Sequence, residues 1–254
     1  MKHSQAIRGG SLSIIEILTV LYFNQMNLAN RSPKNPNRDR LVLSKGHAAP
    51  ALYATLAERG FISRASLNTL RKIDSNLQGH PDMNKVPGVE ISTGSLGQGL
   101  SAANGMALAG KLDKKNYRVY CIIGDGELQE GQIWEACMTS YHYKLNNLCV
   151  IVDNNNLQID GSVDKVMNIY PLKEKFENFG FKVFEVDGHN IEELIEVFEK
   201  SKMFKKKPVA IIAKTVKGKG VSFMENVSAW HGKAPSARDM EKIKWPEDSN
   251  SCDY

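Results

Sequence analysis

The stretch that decides the fold is Arg118–Asn156, RVYCIIGDGELQEGQIWEACMTSYHYKLNNLCVIVDNNN. It reads as strand, helix, strand. Arg118–Ile123 and Leu148–Asp153 are apolar runs, and Gln132–Tyr143 between them is helical. Neither run alternates apolar with polar residues, the mark of a strand covered on both faces. Downstream the alternation continues, with a helix at Leu172–Phe179, a strand at Lys182–Val186, a helix at Ile191–Lys202 and a strand at Val209–Ala213. Upstream, Ser13–Gln25 reads as a helix apolar nearly all round, either buried or at a subunit interface. Leu41–Leu43 is a short strand and Ala51–Arg59 a helix stopped by Gly60. Thr93–Gly99 is a glycine-rich turn leading into a small-residue helix, Leu100–Leu112. The pattern predicts an α/β fold: a doubly wound, mostly parallel sheet with helices on both faces. One domain is expected over residues 1–235, with the polar stretch 236–254 as a peripheral helix and tail.

Composition narrows the class. With 254 residues, 42% hydrophobic and 24% charged, the chain can bury a core without disulfides. The net charge is +5, and the one dense basic run, Lys205-Lys206-Lys207, reads as a solvated loop. No aromatic residues interleave with it, so no nucleic-acid partner is expected, whereas a mild positive field suits phosphorylated substrates. MKHSQAIRGG lacks the layout of a signal peptide, and the apolar run Ile14–Phe23 is shorter than the roughly 20 residues that span a bilayer. A cytoplasmic protein without membrane contact is expected. Cys121, Cys137, Cys149 and Cys252 form no CxxC pair. Cys121 and Cys149 lie in apolar runs and read as buried free thiols of a reducing compartment.

The chemistry gathers at two strand ends. Open parallel sheets bind ligands beyond the carboxyl ends of their strands. The first strand of the opening stretch ends in Gly124-Asp125-Gly126-Glu127, the second in Asp153-Asn154-Asn155-Asn156. Glycines let a phosphate approach the backbone, and a following helix offers it free N–H groups. A carboxylate with a side-chain amide suits Mg2+ or Ca2+ rather than zinc. GDG alone would be only a tight turn; the pairing with the Asn run is what points to a metal-bridged diphosphate.

GDGE followed by an Asn cluster resembles the thiamine diphosphate motif, and the neighbouring segments resemble transketolase. They are LSKGHAAPALY (Leu43–Tyr53), GHPD (Gly79–Asp82), STGSLGQGLS (Ser92–Ser101), GDGELQEGQIWEA (Gly124–Ala136), IDG (Ile159–Gly161) and WHGKAP (Trp230–Pro235). The likeness covers roughly residues 9–235, in order. It implies the N-terminal subunit of a split transketolase, moving a two-carbon ketol unit from a ketose phosphate to an aldose phosphate. The resemblance assigns the metal to Asp125, Asn155 (30 residues on) and the Leu157 carbonyl. It assigns the diphosphate to the Gly126 N–H, the aminopyrimidine to Gly94, Ser95 and Leu96, and an apolar cofactor contact to Ile159. His47 and His231 would line the diphosphate and thiazolium, and His80 the sugar hydroxyls; histidine suits proton transfer near neutral pH. Glu130 matches an acid at the family's subunit interface; the plainer reading is a helix N-terminal charge. TVKGKG (Thr215–Gly220) reads as a flexible basic loop that closes over the diphosphate or stays a plain surface loop. His3, His142 and His189 are left structural.

Two departures from the family stand out. Ile7 occupies the position of a substrate-contacting histidine, and the family's upstream helix has no counterpart. The glutamate that activates the cofactor belongs to a pyrimidine-binding domain with no match here. The resemblance therefore implies a partner, the C-terminal transketolase subunit, in a two-plus-two assembly. Rival readings are a cofactor-binding subunit without turnover, the alpha subunit of a 2-oxo acid dehydrogenase, and a 1-deoxyxylulose-5-phosphate synthase. The dehydrogenase is not expected to carry SKGH, GHPD and WHGKAP together, and the synthase normally carries all domains in one longer chain. A nicotinamide-binding fold is disfavoured because no GxGxxG opens a helix after the first strand.

Overall fold

The structure, a computed structural model, describes residues 9–28 and 32–243. Ile7, His3 and Cys252 lie outside them, as does most of the tail. The main sheet is parallel throughout and has five strands: β1 (Arg40–Leu43), β2 (Val119–Gly124), β3 (Leu148–Asn154), β6 (Lys182–Asp187) and β7 (Val209–Lys214). Their order across the sheet is β1-β2-β3-β7-β6. Strand progression reverses beyond β3, because β6 takes the far edge and β7 fills the gap. That reversal is the switch point at which open α/β sheets leave a crevice.

The unbroken apolar strands bury both faces. Tyr120, Ile122, Cys149, Ile151 and Ile211 pack into one core with α2 (Ile15–Val20), α3 (Ala49–Glu58) and α8 (Ile191–Lys202). A short turn ahead of them, α1 (Gly9–Leu12), packs Leu12 against Val221 and Met224 instead. Val119, Cys121, Ile123, Val150 and Ile212 pack into a second core with α4 (Gln98–Leu112), α5 (Gly131–His142) and α7 (Leu172–Asn178). Period-two side-chain alternation sends successive residues to opposite cores. Cys121, Cys137 and Cys149 are free and buried.

Helix limits follow local chemistry. Asn190 caps α8 by accepting Glu193 N–H at 3.1 Å, and Leu194, Val197, Phe198 and Ser201 form its buried face. The helix expected over Ser13–Gln25 starts at Ile15 and runs on to Gln25, widening over Leu21–Gln25; a separate short turn, α1, precedes it. Ser13 lies between the two, where its hydroxyl contacts Gly10 O (3.3 Å) and Asp153 (2.7 Å). Unforeseen were the two-stranded hairpin β4 (Leu157–Gln158) and β5 (Gly161–Ser162) and the short α6 (Val163–Val166). At the far end α9 (Ala237–Glu241) is closed by a capping box between Ser236 and Asp239. Ile243 then packs with Val221 and Met224. No described helix is long and apolar enough to cross a membrane.

Candidate cofactor and metal site

Loops leaving the carboxyl ends of β1, β2, β3 and β7 meet around one cavity of about 170 Å³. A larger groove of about 380 Å³ lies elsewhere, but its charged residues, Lys72, Asp74 and Lys85, are exposed. Converging buried charges, not size, locate the site.

The loop after β1 supplies Lys45, 2% exposed, whose ammonium pairs with Asp153 at the end of β3. Asp153 is fully buried and also accepts Ser13 Oγ (2.7 Å), Asn155 Nδ2 (3.0 Å) and Thr215 Oγ1. Burial alone would raise its pKa; Lys45 and these hydrogen bonds bring it below the ordinary carboxylate value.

Asp125, at the end of β2, accepts Gly126 N–H at 2.8 Å with one oxygen and Asn156 N–H with the other. Burial, then the nearby Asp153 charge, pushes its carboxyl up to about 6. The Asn155 amide has one satisfying orientation: Nδ2 donates to Asp153 while Oδ1 accepts Leu157 N–H at 3.1 Å. The Leu157 carbonyl accepts Lys217 Nζ at 2.9 Å, and the same ammonium lies 2.8 Å from His231 Nδ1. Lys217 is 2% exposed, and burial and Lys45 pull its pKa down to about 8. The TVKGKG loop is therefore neither flexible nor superficial at Lys217, since Gly218 N–H bonds Gly9 O (3.0 Å) and Asn226 N–H bonds Lys217 O (2.9 Å). Only its far side, Lys219 and Gly220, is exposed.

The His47 and His231 rings are 4.8 Å apart. Burial, then the positive charges of Lys45, His231 and Lys217, drive His47 down to about 2, so it is a neutral imidazole at neutral pH. Leu96, Ile159 and Glu130 also line the cavity, with Ile159 68% exposed. Gly94 and Ser95 sit beside it without lining it, and Ser95 Oγ accepts Gln98 Nε2 at 3.1 Å. The His80 ring packs on Gly94, where an added Cβ would come within 2.9 Å of it; His80 is exposed and does not line the cavity. Glu130 is exposed and is the N-cap residue of α5, in keeping with its plainer reading. The helix expected over Gln132–Tyr143 is α5, Gly131–His142; between it and GDG lies a tight turn over Gly126–Gln129, in which Glu127 folds back to accept Gly124 N–H.

Several site residues escape a reading of the sequence: Lys45, Glu127 and the role of Asp153 as an ion-pair acceptor. The available signal is a charged residue placed directly at the end of an apolar strand.

The residues fit a divalent ion and a diphosphate. Among the described residues no cluster of three His, Cys, Asp or Glu side chains is placed to hold a metal. The oxygens at hand are an Asp carboxylate, an Asn amide and a main-chain carbonyl, hard donors suited to Mg2+ or Ca2+. Gly126 leaves the backbone open, as a Cβ there would stand 3.3 Å from Gln158 Cβ. Two buried lysines supply the balancing positive charge, and His47 and His231 add ring nitrogens for hydrogen bonding.

Comparison with known proteins agrees with this geometry. Residues 2–248 match the family described as transketolase, thiamine diphosphate-binding domain. One relative, from Phocaeicola vulgatus, is named as one of the subunits of an apulose-4-phosphate transketolase; it is 46% identical over 92% of this chain and 83% of its own length. Human transketolase is 50% identical over 91% of this chain but only 37% of its own length. The solved transketolase of Leishmania mexicana superposes with a TM-score of 0.88 at 31% identity, covering 95% of this chain and 38% of the other. Matched along nearly its whole length, the chain belongs to the transketolase family, as its thiamine diphosphate-binding domain.

Proposed function

We propose that the chain is the diphosphate-binding subunit of a two-chain transketolase that moves a two-carbon ketol unit from a ketose phosphate to an aldose phosphate. The observation that carries this reading is the set of hard oxygens at the ends of β2 and β3, on Asp125, Asn155 and Leu157, set beside buried Lys45 and Lys217. Thiamine diphosphate, when bound, supplies the thiazolium carbon that carries the ketol unit. Asp125, Asn155 Oδ1 and the Leu157 carbonyl would hold Mg2+. Gly126 N–H would meet the diphosphate, and Lys217 would turn from Leu157 O towards it. Leu96 and Ile159 would bound the ring end, with Gly94 and Ser95 behind Leu96. Neutral His47 can accept a hydrogen bond from a hydroxyl in the cavity, and His231, against Lys217, can share a proton with it. His80, at the rim, is placed for the sugar, and exposed Glu130 for a neighbouring chain.

The same reading assigns the activating glutamate to a partner, a C-terminal subunit with the pyrimidine-binding domain, in a cytoplasmic two-plus-two assembly. Residues 1–235 form the diphosphate-binding unit and 236–254 an appendage to it, supported by the packing of Ile243 on the 221–224 loop. The Phocaeicola relative is named for apulose 4-phosphate, so the sugar here is assigned only as a ketose phosphate, with pentose phosphates the first to test. The chain with its partner, thiamine diphosphate, Mg2+, xylulose 5-phosphate and ribose 5-phosphate should form sedoheptulose 7-phosphate. The chain alone should form none. No transfer from any ketose phosphate by the mixed chains would overturn the catalytic reading.

A further inference from the structure

Glu127 is 2% exposed in the cavity wall, yet the reading above gives it no contact with metal or diphosphate. Its carboxylate instead joins three segments. Oε1 accepts the Ser44 hydroxyl and Gly97 N–H (2.9 Å), and Oε2 accepts Gly124 N–H (3.1 Å). Ser44 leads into Lys45 and His47, Gly97 closes the turn that brings Leu96 to the cavity, and Gly124 opens the turn that brings Asp125 and Gly126.

These segments are already at contact distance. A Cβ on Gly99 would lie 2.3 Å from Ser44 Oγ, and one on Gly97 would lie 2.8 Å from Glu130 Cβ. Both oxygens of Glu127 face donors, so only a carboxylate satisfies the arrangement. An amide in its place would turn an NH2 group towards either Gly124 N–H or the Ser44 and Gly97 donors, leaving buried donors unpaired.

The two turns differ in how much else holds them. Asp125 is fixed independently by Gly126 and Asn156 N–H groups, and Gly124 by its register with Asp153. At the Leu96 turn, Thr93 Oγ1 reaches Leu43 O at 2.7 Å, but Gly97 N–H is held by Glu127.

We propose that Glu127 is a positioning residue that sets the spacing between the Leu96 turn and the Asp125–Gly126 turn. It thereby tunes binding of a ligand that spans both, with an aromatic ring at one end and a diphosphate at the other. This rests on the cofactor reading above. Inorganic diphosphate would touch one turn only, so it separates the clamp from general stability.

The test is calorimetric titration of thiamine diphosphate, and separately of inorganic diphosphate, into the chain with its partner and Mg2+, for the wild type and E127Q. E127Q is expected to weaken thiamine diphosphate binding on the order of tenfold and to leave inorganic diphosphate unchanged. Equal losses for both ligands, or no loss for either, would overturn the proposal alone. A wild-type assembly that binds inorganic diphosphate but not thiamine diphosphate would overturn the cofactor reading, and the proposal with it. Should E127Q fail to fold, S44A, which removes one donor and keeps the carboxylate, must show the same selective loss at smaller size; an unselective result there overturns the proposal.

Discussion

Replacing Asp153 by Asn removes a single charge from the centre of the site while keeping its shape. Lys45 and Asp153 are 2% and 0% exposed at their side chains, so the variant leaves an ammonium buried without its ion-pair partner. Breaking one partner of a buried pair costs about 3–5 kcal/mol. The Asn oxygen can still accept from Lys45, Ser13 or Thr215, which places the expectation near 3 kcal/mol. At roughly 2–4 °C per kcal/mol for a chain of this size, the unfolding midpoint should fall by about 6–12 °C. Lys45→Met leaves the carboxylate with its donors from Ser13, Asn155 and Thr215. The K45M/D153N pair should therefore be less destabilised than the sum of the single variants, by about 2 kcal/mol. The pH dependence has a definite sign. The folded Asp153 pKa lies below its ordinary value, so its contribution is complete above about pH 4 and is lost as pH falls through the folded value. The gap between wild type and D153N should accordingly narrow below about pH 4. Urea and thermal unfolding of the chain, at pH 7 and at acid pH, measure all of this. A D153N variant within about 1 kcal/mol of wild type at pH 7, or a strictly additive double variant, would refute the reasoning.

Asp125→Asn should weaken Mg2+-dependent thiamine diphosphate binding by more than the roughly 100-fold ceiling typical of outer-shell partners; calorimetric binding at neutral pH decides it. Gly99→Ala should destabilise by about 1–3 kcal/mol, because its Cβ would meet Ser44 Cα at 2.7 Å as well as the hydroxyl. Gly105→Ala, in the same helix with nothing within 4 Å, should stabilise the chain by about 1 kcal/mol; urea midpoints that moved in the same direction would contradict this. Burial pushes the Cys137 and Cys149 thiols up to about 12. Mass spectrometry after alkylation of the native chain at pH 7 should find Cys121, Cys137 and Cys149 unmodified, and their rapid labelling would show the cores to be open.

The sheet is legible because burial on both faces leaves a trace in composition. VYCIIG and LCVIVD have no polar face to alternate with, and their observed limits differ by one residue from those the sequence suggests. Helix α8 is read to the residue because both its cap, Asn190, and its apolar face are local. The start of the N-terminal helix, two residues later than expected, is missed for the opposite reason. Ser13 looks like an ordinary helical residue, and the acceptor its hydroxyl reaches is 140 residues away. The hairpin β4–β5 has strands of two residues, too short for any period to register.

The site divides along the same line. Asp125, Gly126 and Asn155 are legible because strand-end glycines and hard oxygen donors sit within short motifs. Lys45 and Glu127 are not, because what they do depends on residues far along the chain. Lys45 pairs across 108 positions, and Glu127 bonds Ser44 across 83 and Gly97 across 30. A charge that ends an apolar strand must find a partner or suffer a heavy penalty on burial, so the sequence does announce that Lys45 and Asp153 need one. Which charge answers which is decided by the order of the strands. With β2 beside β1 and β3 beside β2, the loop after β1 comes within reach of the end of β3. An order that set β1 and β3 at opposite edges of the sheet would separate Lys45 from Asp153 and oblige each to seek solvent, which is why this pair is information about topology before it is information about function.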